Sequence, residues 1–77
     1  LDLDVLDPSV FPGTGTPEAG GVTFDQLREA AQMVCSTANV VACDVNELSP
    51  PYDPSGISAM AACKIVREML LAFPEQA

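Results

Sequence analysis

Hydrophobic and polar positions divide the chain into four elements. Leu1, Leu3, Val5 and Leu6 surround Asp2 and Asp4 in a short apolar run, and this pattern predicts a strand ending near Val5. The stretch from Asp7 to Val22 contains three prolines and four glycines, which predicts a fixed, irregular loop. Phe24, Leu27, Ala30, Ala31 and Val34 then recur at helical spacing. Thr23 and Gln26 supply a capping box at the start of that helix, which should stop around Ser36 or Thr37. Val40, Val41, Ala42, Cys43, Asp44 and Val45 form an almost unbroken apolar run, as a buried parallel strand does. A loop with three prolines covers Asn46 to Gly56. The last helix is expected from Ile57 to Phe73, with apolar groups around most of its surface, and Pro74 ends it.

Strands alternating with helices predict an α/β fold with a parallel sheet and right-handed crossovers. The order is β-loop-α-β-loop-α. Leu1 already lies within the first strand, so the 77 residues are expected to be the C-terminal part of a single larger domain, a three-layer α/β/α fold. A chain of this size buries only about 60% of its unfolded surface, which makes it marginal alone. In parallel sheets, ligands bind outside the carboxyl ends of the strands. Asp2 and Asp4 end one strand and Asp44 and Glu47 the other, so the candidate site lies at that edge.

Charge narrows the partners. The net charge is −8, with only three basic residues, Arg28, Lys64 and Arg67. Nucleic acid and anionic membranes need a basic footprint, and neither is expected as a partner. Excess carboxylate suits a metal ion, a guanidinium or an amine. Lys64, Arg67 and Glu68 interrupt the final apolar helix, so it is not read as a membrane span. Cys35, Cys43 and Cys63 fit no zinc or redox spacing and read as buried free thiols of a reducing, cytoplasmic compartment.

Two carboxylates on one face of a strand repel unless a cation lies between them. Asp2 and Asp4 therefore read either as solvated acids and caps or as ligands of a hard divalent metal. Asp7 precedes a proline and reads as a turn former. Thr14 and Thr16 either satisfy the loop backbone or present hydroxyls to a ligand. Glu47 reads either as an exposed loop acid or as the partner of a guanidinium, whose planar fork of donors fits a carboxylate. Asp44 would need a partner if buried. Tyr52, Asp53 and Ser55 have turn roles by default.

Taken together, Asp2-Leu3-Asp4-Val5-Leu6-Asp7-Pro8, Pro12-Gly13-Thr14-Gly15-Thr16-Pro17-Glu18 and Gly20-Gly21 resemble the signature of the ureohydrolases, the family of arginases and agmatinases. Asp44 to Asp53 is similar to the strand and loop that carry that family's substrate glutamate. The resemblance runs over essentially the whole chain. Ser49-Pro50-Pro51-Tyr52-Asp53 looks more like agmatinases and guanidinobutyrases than arginases. Two departures are Ala19, where proline is common, and Asn46, where an apolar residue is common; the second bears on substrate preference.

The resemblance implies a binuclear Mn²⁺ site in an intact parent enzyme. Asp2 would match the aspartate that bridges both ions, and Asp4 the one that ligates a single ion. Glu47 and Thr16 would contact the substrate. The other ligands and an acid/base histidine would come from upstream, since this chain has no histidine. The implied reaction is hydrolysis of a small guanidino substrate to urea and an amine, with agmatine favoured and putrescine as product. Alternatives are a guanidinobutyrase or another guanidino-acid hydrolase, and a catalytically incomplete remnant that only packs against a partner. The isolated chain is expected to be inactive, and the full-length parent to be a homo-oligomer.

Overall fold

The computed structural model describes residues 1–74, and its regular structure is helical. A 3-10 turn over Leu3–Val5 is followed by α1 (Phe24–Thr37), a second 3-10 turn (Pro50–Tyr52) and α2 (Ile57–Ala72). The expected capping box forms: Thr23 Oγ1 accepts from Gln26 N, and the Gln26 side chain accepts from Thr23 N. Both bonds satisfy amide donors that the first helical turn leaves free.

The helices pack together and sandwich one core. Leu27, Ala31 and Cys35 of α1 face Ala62, Ile65 and Met69 of α2, and Leu3, Leu6 and Phe11 from the N-terminal segment complete the cluster. Each large apolar side chain buried here contributes roughly 1.5–3 kcal/mol relative to exposure.

The expected α/β/α fold with a parallel sheet is not found among the described residues. No strand forms there. Two isolated parallel bridges stand in its place, Asp2 with Asn46 and Leu6 with Val22. The reason lies in where the backbone groups bond. Val5 N and Leu6 N turn back to Asp2 O and Leu3 O, which closes Leu3–Val5 into a 3-10 turn. Leu1 N, Asn46 N and Leu3 N bond across the gap, to Asp44 O at 2.8 Å, Leu1 O at 2.9 Å and Asn46 O at 3.1 Å, and the next donor in line, Val5 N, is the one that turns back. A ladder stops where its next donor is used locally. The second apolar run fares similarly: Val40 N bonds Ala38 O, and Val41 is 88% exposed.

Other expectations are corrected by burial. Val34 lies on the exposed side of α1, and Cys35 takes the inward position. Met60, Leu70 and Leu71 are exposed on α2, so that helix buries one face rather than most of its surface. Cys35 is buried as expected, whereas Cys43 and Cys63 are exposed. Asp44 is exposed, and its Oδ1 accepts from Asn46 Nδ2 at 2.6 Å. No described helix is long and apolar enough to cross a membrane.

The Asp7–Val22 loop is irregular but fixed. The Asp7 carboxylate accepts from the backbone of Ser9, Gly20 and Gly21 and from the Ser9 hydroxyl. These bonds hold its pKa at about 2, below the ordinary 3.8. Gly21 passes so close to the first segment that a Cβ there would lie 2.5 Å from Asp7 N and 2.6 Å from Leu6 C and Val5 O. Only glycine permits that approach.

Candidate functional site

The two bonds between Asn46 and the N-terminal segment bring Asp2, Asp4 and Glu47 to one place. Each offers a carboxylate oxygen, and the three oxygens lie within 4.8 Å of one another. Asp4 is half-buried, and Asp2 and Glu47 are exposed. Asp2 and Asp4 meet through the 3-10 turn, with Asp4 N donating to Asp2 Oδ1 at 3.3 Å, rather than through the alternation of a strand.

The electrostatics favour a cation. The carboxyl of Asp4 beside Asp2 pushes the Asp2 pKa above the ordinary carboxylate range. A side-chain hydrogen bond from Asp4 is the largest cause, and partial desolvation and charge repulsion from Asp4 add to it. A divalent ion relieves that repulsion. The donor set is entirely carboxylate oxygen, which suits manganese, magnesium or calcium better than zinc or copper. The three side chains therefore fit a hard metal ion. Among the described residues they are the cluster with that capacity.

Thr16 reaches this cluster from the loop. Its hydroxyl donates to Asp4 Oδ2 at 2.7 Å, and its N–H lies 3.5 Å from Thr14 Oγ1. Thr14 is buried and serves the loop backbone. Of the two hydroxyls left open by the sequence, Thr14 thus has the structural role and Thr16 meets an acid of the cluster.

Glu47 carries a feature that the sequence did not suggest. Its φ is +81°, the only positive value at a non-glycine residue among those described. For a residue with a Cβ, that conformation costs on the order of 1–3 kcal/mol, and such strain gathers at functional sites. No neighbouring residue announces it; the composition around Glu47 is ordinary for a loop.

The turn role expected of Asp53 and Ser55 is present, and Ser58 extends it into a second polar cluster. Asp53 and Ser58 are both buried. Asp53 accepts from the N–H and hydroxyl of Ser55 and of Ser58, which holds its pKa at about 2. Asp53-x-Ser55 is a sequence signal for a local turn. Nothing in the sequence signals that Ser58 Oγ accepts from Gly13 N at 2.8 Å, because 45 positions separate the two residues.

The comparisons with known proteins agree with one another. A sequence profile of the arginase family matches residues 1–72. The agmatinase of Halalkalibacterium halodurans is 50% identical over 74 residues, covering 95% of this chain and 26% of that protein. The mitochondrial guanidino acid hydrolase of Homo sapiens is 49% identical over 75 residues, covering 97% of this chain and 21% of that one. The solved structure of proclavaminate amidino hydrolase from Streptomyces clavuligerus superposes with a TM-score of 0.86 at 39% identity, covering 94% of this chain and 24% of that one. The chain thus spans about a quarter of the length of the relatives it matches.

Proposed function

The chain belongs to the arginase family, and on that premise we propose that it supplies one side of a manganese site at which a longer protein hydrolyses a guanidino substrate to urea and an amine. Agmatine is the favoured substrate, with putrescine as the product. The reading is supported by the similarity to agmatinase and by the Ser49-Pro50-Pro51-Tyr52-Asp53 segment. The observation that carries it is the convergence of Asp2, Asp4 and Glu47, whose oxygens lie within 4.8 Å of one another.

Asp2 and Asp4 would hold the metal, in a site of two Mn²⁺ ions completed by ligands from outside this chain. Manganese, when bound, lowers the pKa of a coordinated water toward neutrality. Glu47 would accept two N–H donors of the guanidinium and hold it planar, with its carbon facing the metal side. A guanidinium carbon is a poor electrophile, so orientation matters more than affinity. Thr16 would act at the rim of the same site, where it holds Asp4. The chain has no histidine to move a proton, and alone it is expected to be inactive.

The test is urea release by the full-length protein in the presence of Mn²⁺. Agmatine, 4-guanidinobutyrate, 3-guanidinopropionate and arginine would be offered at equal concentration. Preference for agmatine supports the reading. Preference for a guanidino acid moves the substrate assignment to that class, and no urea from any of them overturns the hydrolase assignment.

A further inference from the structure

The buried Asp53 carboxylate is not one of the three acids of the cluster, and the proposed roles in metal and substrate binding leave it without one. A charge taken out of water is costly unless it is fully hydrogen-bonded. Asp53 meets that demand with Ser55 and Ser58: the distances from Oδ2 to Ser58 N and Ser58 Oγ are 2.8 and 2.6 Å. A serine hydroxyl has one proton. The carboxylate, which only accepts, takes that proton and leaves the lone pairs of Ser58 Oγ free. Gly13 N donates to them at 2.8 Å.

The Gly13 unit is gripped on its other side as well. Ser49 N donates to Gly13 O at 2.7 Å, and Ser49 lies two residues beyond Glu47. There is no space for a side chain: a Cβ on Gly13 would lie 2.7 Å from Ser58 Cβ, 2.8 Å from Ser58 Oγ and 3.0 Å from Asp53 Cβ. Three residues further along the same loop, Thr16 donates to Asp4.

We propose that Asp53 is a positioning residue for the metal site: by fixing the Ser58 hydroxyl it anchors Gly13, and the anchored loop delivers Thr16 to Asp4. The relay joins the loop that steadies Asp4 to the segment that carries Glu47. The metal half of this inference rests on the manganese reading above; the loop half does not. Asparagine at position 53 would keep the size but present an N–H₂ that competes with Gly13 for Ser58 Oγ.

The test has two arms, both on the full-length protein. Without metal, amide exchange at Gly13 to Thr16 is followed by mass spectrometry in wild type, Asp53→Asn and Ser58→Ala. Exchange should accelerate roughly fivefold, about what one net hydrogen bond is worth. With metal, Mn²⁺ binding is titrated by the electron paramagnetic resonance signal of the free ion. Asp53→Asn and Thr16→Val should each weaken binding roughly tenfold, as loss of an outer partner does. The double variant should be no weaker than Thr16→Val alone, because both act through one contact. Unchanged exchange, unchanged Mn²⁺ affinity or fully additive losses would each overturn the proposal. If Asp53→Asn does not fold, Ser58→Ala breaks the same link while leaving α2 intact. If wild type takes up no Mn²⁺, the manganese reading is what fails, and the exchange arm still decides whether Asp53 anchors the loop.

Discussion

Thr16 and Asp4, twelve positions apart, are joined by a 2.7 Å hydrogen bond from the threonine hydroxyl to the carboxylate Oδ2. The bond occupies one oxygen of Asp4 and restrains its carboxylate. Orientation of a ligand by an outer hydrogen bond is worth roughly 10- to 100-fold in metal affinity or activity. Thr16→Val should therefore weaken Mn²⁺ binding to the full-length protein by about tenfold, and Thr16→Ser should restore it. Thr16 is exposed, so the stability cost should stay within about 0.5 kcal/mol. Metal titration beside a urea melt checks both statements.

Asp2 and Glu47 should separate by phenotype. Asp2→Ala is expected to lose metal and activity together. Glu47→Gln keeps the shape but weakens the grip on a guanidinium, so it should retain Mn²⁺ and lose turnover. Elemental analysis of the purified variants, with urea assays, checks the division. Full Mn²⁺ occupancy in Asp2→Ala would falsify its assignment as a ligand.

The positive φ of Glu47 predicts an unusual trade. Glu47→Gly relieves a strained backbone and should gain on the order of 1 kcal/mol, after the extra freedom of glycine in the unfolded chain is subtracted. The same change removes the carboxylate and should abolish turnover. A rise in Tm with loss of activity is the expected pair; a fall in Tm would show that the conformation at 47 is not strained.

Acid should loosen the fold through Asp7 and Asp53. Both have pKa values lowered to about 2 from an ordinary 3.8. A lowered folded-state pKa means that the unfolded chain binds more protons between these values. The stabilisation is thus complete above about pH 4 and is lost as pH falls toward 2. Asp7→Asn should flatten the dependence of unfolding free energy on pH across this window, as read from urea melts at stepped pH.

Two glycines of one loop should respond unequally to alanine. At Gly21 the added methyl would meet three backbone atoms at 2.5–2.6 Å, which cannot yield as a side chain tip can. Gly21→Ala should cost about 1–3 kcal/mol. At Gly15 a Cβ would meet nothing within 4 Å, so Gly15→Ala should stay within about 0.5 kcal/mol. Denaturant midpoints of the two variants make the comparison.

What the sequence made legible was local. Thr23 and Gln26 lie within one helical turn, and the capping box they announce is present. Both helices lie where their periodicity puts them. Apolar runs were less informative, because they say what favours burial and not which backbone will pair with it. The run ending near Val5 and Val40–Val45 both read as strands, yet one closes into a turn and the other lies largely exposed. The nearness of Asp2 and Asp4 was expected from strand alternation and arises from a 3-10 turn instead. Glu47 reaches them through pairing between distant segments, the Asn46 bridge among them. The Gly13–Ser58 bond and the backbone of Glu47 left no mark in the pattern of residue types, since both depend on contacts between distant segments.

The Asp2–Asn46 bridge also sets an order of events as the chain acquires its structure. Helix α1, with its local cap, needs only its own neighbours. The acidic cluster needs its two halves brought together across more than half of the chain, so loop-closure entropy must be met before any contact rewards it. Asp2 and Asp4 meet locally, and Glu47 joins them only when that span is closed. The three-carboxylate cluster is thus a tertiary feature, present only in a chain whose distant segments have met.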